Sequence, residues 1–168
     1  LDDLNKPYRG WKATFFEGGT RVPFFMQLPG VIAPGSQFTA PVSHFDIFAT
    51  SAALAGVQPP ADRVIDGVNL IPFARGEQGG RPHEQMFWRS GAYQVARSGD
   101  WKLQVNETQD KVWLFNLQDD PTEQHNLVDA EPARVKELLA QLAEFNSQQK
   151  APLWPSLVEA PILIDKPL

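Results

Sequence analysis

The chain has 168 residues, 42% of them hydrophobic, with 15 Lys+Arg against 20 Asp+Glu and a formal charge of -5; this is domain size, with enough apolar content for a core. The acidic balance leaves no basic stripe for nucleic acid, and the absence of cysteine excludes disulfide staples and thiolate metal sites. The apolar runs fall well short of the roughly 20 residues that cross a bilayer, so no membrane span is expected.

The first informative stretch is Lys12-Ala-Thr-Phe-Phe-Glu17-Gly-Gly-Thr-Arg21-Val-Pro23. Its glycine pair permits close backbone approaches that a side chain would block, and Lys12 and Arg21 flank it with positive charge, so it reads as a turn that handles anionic oxygens. Glu17 and Arg21 are read as orienting the turn, through backbone hydrogen bonds or by pairing with each other, with substrate contact as the alternative. From Arg21 to Leu28, apolar residues on both faces ending at Pro29-Gly30 predict a buried strand closed by a turn. Ser43 with Asp46 three residues on approximates a capping box, and Phe45, Phe48, Ala52 and Ala55 recur at helical spacing up to Gly56, which predicts a short buried helix. His44 opens that helix as a hydrogen-bonding residue of its N-terminus.

Residues 58–82 are rich in proline, glycine and charge and read as a surface connection with one helical turn at 70–74, followed by a solvated His83. Four short runs then follow, at 85–89, 92–97, 101–105 and 111–115, separated by Ser-Gly, Ser-Gly-Asp and Asn-Glu-Thr-Gln-Asp; they predict an antiparallel meander. Phe87, Trp88, Tyr93, Trp101, Trp113 and Phe115 alternate along these runs and are expected in the core, with an aryl or sugar platform as the alternative and Trp88 its best member. Asp119, Asp120 and Glu123 lack the spacing and central glycine of a calcium loop and read as a turn, with His125 solvated on it. Val135, Leu138, Leu139, Leu142 and Phe145 form one apolar stripe, predicting a helix over one face of the meander. Trp154, between Pro152 and Pro155, is expected to dock the extended tail onto the body.

Gly10-x-Lys12 followed by Glu17-Gly-Gly-x-Arg21-Val-Pro resembles the corresponding segment of the sulfatases, alkaline-phosphatase-like hydrolases of sulfate esters. Ser43-His-Phe-Asp46-Ile-Phe-Ala-Thr50 resembles their Asp-x-x-Pro-Thr helix, with Ala49 in place of proline, and Asp66-Gly67, Gly99-Asp-Trp-Lys-Leu103, Leu114-Phe-Asn-Leu117 and Asp120-Pro-Thr-Glu123 follow in the order of sulfatase C-terminal regions. The closing proline-rich residues from Pro152 on also look like bacterial arylsulfatase tails.

The resemblance implies an α+β chain. Residues 1–80 would be the end of a catalytic domain with a piece of its central sheet, 81–150 a sheet-plus-helix subdomain, and 151–168 an extended tail. It implies that Lys12 contacts the sulfate as the catalytic and substrate-binding residue, with Glu17, Arg21 and His44 as site support. It further implies a hydrated formylglycine that attacks sulfur beside a divalent cation, usually calcium, then collapses to release sulfate. The formylglycine comes from a Cys/Ser-x-Pro-x-Arg motif that this chain lacks; Asp2 and Asp3 are not the family's Asp-Asn-Gly metal motif. The expectation is therefore a C-terminal portion, inactive alone, without a metal site of its own. The full enzyme would take a sulfated small molecule or glycan in a bacterial periplasm or outside the cell. A phosphate- or phosphonate-monoester hydrolase and a non-catalytic binding or assembly module are the alternatives.

Overall fold

The four runs of alternating residues form four strands in a computed structural model that describes residues 5–107, 110–154 and 156. β1 (Gln85–Ser90), β2 (Tyr93–Ser98), β3 (Trp101–Asn106) and β4 (Lys111–Asn116) pair antiparallel in chain order. The register runs Ser90↔Tyr93, Ser98↔Trp101 and Asn106↔Lys111. Gly91 and Gly99 sit at positive φ in the two tight connections, a conformation most side chains disfavour, which is why Ser-Gly recurs at both.

Both faces of this sheet are covered. On one, Ala96, Leu103 and Leu114 meet Leu138 and Leu142 of the long helix Pro132–Ser147, and Phe87 stacks on Phe145 with ring centroids 4.4 Å apart. The helix starts with proline in its first turn, where the missing N–H has no intrahelical partner to lose. Leu139 departs from the expected stripe and is 41% exposed, because it lies about 100° round the helix from Leu138. On the other face, Tyr93, Val95, Trp113 and Phe115 form a core with Phe16 from the N-terminal turn, while Phe15 and Trp88 pack against it. The aromatic residues are thus divided between two cores, with Trp88 half-buried against one of them.

By contacts the chain divides into two units, Leu1–Pro23 with Gln85–Leu168, and Phe24–Glu84. In the second unit, a helix over Asp46–Leu54 and a helical turn over Ile71–Ala74 are the regular elements among the described residues. The first of these helices buries a different stripe from the one expected. Asp46, Ala49 and Thr50 face inward, while Phe45, Ile47, Phe48 and Leu54 are exposed. The inward stripe is polar because it secures backbone: Asp46 accepts the N–H groups of Ser43 (2.8 Å) and Val68 (2.9 Å), and Thr50 Oγ1 accepts that of Leu70 (3.0 Å). Buried backbone donors need partners, and these side chains supply them.

Three other expectations are corrected. Residues 21–28 form no strand; the segment pairs with none of the four strands, and Phe25 is 92% exposed. A strand exists only through ladder hydrogen bonds to a neighbour, and apolar composition alone provides none. Trp154 is exposed, so it does not dock the tail; Arg89 donating to Lys150 O (3.0 Å) and Ser90 meeting Ser156 make that connection. His83 is not solvated, as its Nε2 lies 2.8 Å and 3.0 Å from the two carboxylate oxygens of buried Asp46. The tail beyond Ser156, Pro155, Thr108 and Gln109, and Asp2 and Asp3 lie outside the described residues. No helix among the described residues is long and apolar enough to cross a membrane.

Candidate anion-binding turn

Lys12 projects from a tight turn that closes on itself. The Thr14 N–H donates to Trp11 O (2.8 Å), the Trp11 N–H to Thr14 Oγ1 (3.1 Å), and the Thr14 hydroxyl back to Trp11 O (3.0 Å). Gly10 enters the turn at φ +84. The next residues, Glu17–Thr20, make one helical turn whose glycines press on the lysine turn from beneath. A Cβ on Gly18 would sit 2.5 Å from Gly10 O, and one on Gly19 would sit 2.0 Å from Thr14 O. The glycine pair is therefore needed for close backbone approach, and that approach sets the lysine turn.

Glu17 is buried, and its carboxylate lies 2.8 Å from Lys102 Nζ on β3. Arg21, half exposed, is 4.0 Å from the other Glu17 oxygen and stacks over the Tyr8 ring. Lys102 also lies 3.0 Å from Glu123 Oε1, which accepts from Gln104 Nε2 at 3.0 Å as well. The second Glu123 oxygen accepts the Glu17 N–H. Gln104 in turn accepts the Tyr93 hydroxyl proton, and that hydroxyl accepts the Phe15 N–H at 3.0 Å. Arg9, with its guanidinium 4.3 Å over the Phe16 ring, donates to Glu123 O at 3.0 Å.

Burial raises the Glu123 carboxyl above its ordinary value, opposed by the attraction of Lys102 and the Glu17 N–H. The Tyr93 hydroxyl is likewise pushed up, chiefly by burial.

Of the expected site residues, the structure brings Glu17 and Arg21 together and leaves Lys12 exposed beside them in sequence. His44 belongs to the second unit, exposed, with its ring 5.9 Å from that of Phe45. Lys102 and Gln104 carry no sign of a site in the sequence, and Glu123 reads there only as part of a turn. A lysine and a glutamine alternating with Trp101, Leu103 and Val105 read as the solvent face of a strand, and only the turn folded over that face makes them interior. Asp119 and Asp120 are spent locally, on Asn116 Nδ2 (2.7 Å) and the His125 N–H (2.8 Å). Among the described residues no group of three or more histidine, aspartate or glutamate side chains is arranged to hold a metal ion.

Comparison with known proteins agrees with the order of the motifs. A family model described as N-sulphoglucosamine sulphohydrolase, C-terminal, matches residues 9–150. The chain belongs to this sulfatase family. It is 41% identical over 117 residues to the steryl-sulfatase of Rattus norvegicus, covering 70% of this chain and 20% of that protein. Against the N-acetylgalactosamine-6-sulfatase of Mus musculus it is 39% identical over 102 residues, 60% of this chain and 19% of the relative. The crystal structure of Ps i-CgsB superposes with a TM-score of 0.77 at 27% identity, over 90% of this chain and 34% of that one, and a second crystal of that protein holds k-i-k-neocarrahexaose. This sulfatase-family chain thus spans about a fifth to a third of the proteins it resembles.

Proposed function

We propose that this chain serves as the C-terminal part of a sulfatase that hydrolyses sulfate esters, and that Lys12 is its contribution to holding the sulfate group. The observation that carries the reading is the construction of the lysine turn. Two glycines packed on its backbone fix it, and Lys12 stays exposed, with no carboxylate paired to it among the described residues. As a sulfate ester cleaves, negative charge grows on the bridging oxygen. An ammonium held beside it by the turn stabilises the transition state more than the ground state, which is the condition for raising kcat.

Glu17 and Arg21 support the site beside the turn, and His44 is proposed as further site support. Within this reading residues 1–80 are the end of the catalytic domain, 81–150 the sheet-plus-helix subdomain and 151–168 a tail, a division by role and not by contact. The resemblance also brings a formylglycine and a divalent cation, calcium by preference. The described residues offer neither a ligand set for that cation nor a Cys/Ser-x-Pro-x-Arg source for the aldehyde, so the nucleophile and metal chemistry are assigned to other residues of the polypeptide. Relatives named for sterol and N-acetylgalactosamine sulfates, and a neighbour crystallised with an oligosaccharide, support a sulfated small molecule or glycan as substrate. An exported bacterial compartment completes the proposal.

The test is Lys12→Ala in the polypeptide that carries this chain, with 4-nitrophenyl sulfate and 4-nitrophenyl phosphate side by side. Losing one donor to the developing charge should lower kcat on the sulfate by roughly 10²–10³-fold. An unchanged rate would remove Lys12 from the site, and faster turnover of the phosphate would move the enzyme to the monoester phosphatases of the same superfamily.

A further inference from the structure

The lysine turn is bracketed on both sides by hydrogen bonds to one buried polar cluster. Ahead of it, Arg9 donates to Glu123 O at 3.0 Å; behind it, the Phe15 N–H donates to the Tyr93 hydroxyl at 3.0 Å and the Glu17 N–H to the Glu123 carboxylate. Lys102, fully buried, holds both Glu17 (2.8 Å) and Glu123 (3.0 Å). Gln104 closes the circuit between Glu123 and Tyr93. Arg9 is half-buried, but Glu17, Tyr93, Lys102, Gln104 and Glu123 are all buried and closed to a ligand, so two carboxylates and one ammonium have been taken out of water without any contact to substrate.

Desolvating three charges is costly, and an apolar cluster of the same volume would often serve stability as well. What an apolar cluster cannot supply is direction, because hydrogen bonds fix backbone N–H groups in place where dispersion contacts do not. We propose that Glu123, Lys102 and Tyr93 are positioning residues for Lys12, fixing the 10–14 turn through the Phe15 and Glu17 amides. This inference rests on the reading of Lys12 as the sulfate-holding group. The lysine's long stem makes that function depend on where its Cα is held, and the turn is anchored behind on Tyr93 and Lys102 of the sheet and ahead on the Glu123 carbonyl of the loop after β4.

The experiment is a double-mutant cycle in the polypeptide that carries this chain, combined with amide hydrogen exchange. Glu123→Gln keeps the side-chain shape but turns one acceptor oxygen into a donor, which cannot satisfy Lys102, Gln104 and the Glu17 N–H together. Tyr93→Phe removes only the hydroxyl and serves the cycle if Glu123→Gln does not fold. With 4-nitrophenyl sulfate, loss of a charged hydrogen bond at the anchor should reduce kcat by about 10-fold or more in Glu123→Gln, with a smaller loss in Tyr93→Phe. The same substitution added to Lys12→Ala should cost almost nothing further, since a lysine that is absent cannot be misplaced. Exchange at the Glu17 amide should accelerate in Glu123→Gln, and at the Phe15 amide in Tyr93→Phe. Losses that multiply with that of Lys12→Ala would overturn the positioning role while leaving Lys12 in the site, as would full activity alongside accelerated exchange. An unaffected Lys12→Ala would overturn both the reading of Lys12 and the inference built on it.

Discussion

Gly19→Ala tests the claim that backbone contact sets the lysine turn. A methyl at this position would lie 2.0 Å from Thr14 O and 2.4 Å from Trp11 O, about 1 Å inside even a tight contact at 3.0 Å. Both obstructing atoms are backbone, and the Trp11 oxygen is held by the hydrogen bonds of the Trp11–Thr14 turn, so no side-chain rotation relieves the clash. Either the helical turn at Glu17–Thr20 moves away or the lysine turn does. Overpacking of this kind costs about 1–3 kcal/mol, and two backbone oxygens place it at the upper end. For a domain of this size about 3 kcal/mol corresponds to a Tm lower by roughly 6–12 °C. In the polypeptide that carries this chain, the proposed role of Lys12 means that a displacement near 1 Å should also cost about 100-fold in kcat on a sulfate ester. Gly79→Ala is the control, since a Cβ there meets nothing within 4 Å. Thermal melts of the two variants and the parent, with rates on 4-nitrophenyl sulfate, complete the assay. A Gly19→Ala protein that melts and turns over like Gly79→Ala would refute the reasoning.

Three further outcomes are expected. The 168-residue chain alone should show no turnover of 4-nitrophenyl sulfate with calcium, because it has neither cysteine nor Ser-x-Pro-x-Arg from which to make the nucleophile; hydrolysis above a heat-inactivated control would defeat this. The raised Tyr93 hydroxyl means that the folded chain keeps a proton the unfolded chain loses near pH 10, so its stabilising contribution is complete below about pH 10 and is lost as pH rises through the folded value. Melting temperatures between pH 9 and 11 should therefore fall less steeply for Tyr93→Phe than for the parent, and parallel curves would contradict the assignment. The isolated chain should also self-associate through the exposed apolar segment that includes Val22, Phe24 and Phe25, and Phe25→Asp should weaken the association. Light scattering that finds only monomer at about 100 μM would remove this surface from consideration.

Local regularities were legible wherever one element's own pattern decides the outcome. The meander could be read because alternation and Gly-containing turns are properties of neighbouring residues, and its register follows from the short connections at Gly91 and Gly99. The last helix could be read from its apolar spacing, apart from Leu139 at the stripe's margin. The helix at Asp46–Leu54 was placed correctly but its inward face was not. Phe45 and Phe48 carry the apolar signal, while Asp46 and Thr50 are buried for the sake of backbone N–H groups some twenty residues further along the chain.

The sequence by itself determined the order of the four meander strands and the last helix, the family, and the need for glycine beneath the lysine turn, because each depends on spacing within a short stretch or on a run of such stretches in order. Only the tertiary structure decided that Lys102 and Gln104 point into a core, that Glu123 captures the Glu17 amide 106 residues away, and that His83 meets Asp46. A polar side chain on a strand has the same local pattern whether water or another segment covers it. The covering segment here is the lysine turn, brought over the sheet by Phe15 and Phe16 packing on its aromatic face. Burial of a charge becomes tolerable only when its partners arrive from distant parts of the chain, so the groups that hold the candidate site together leave the weakest trace in the sequence.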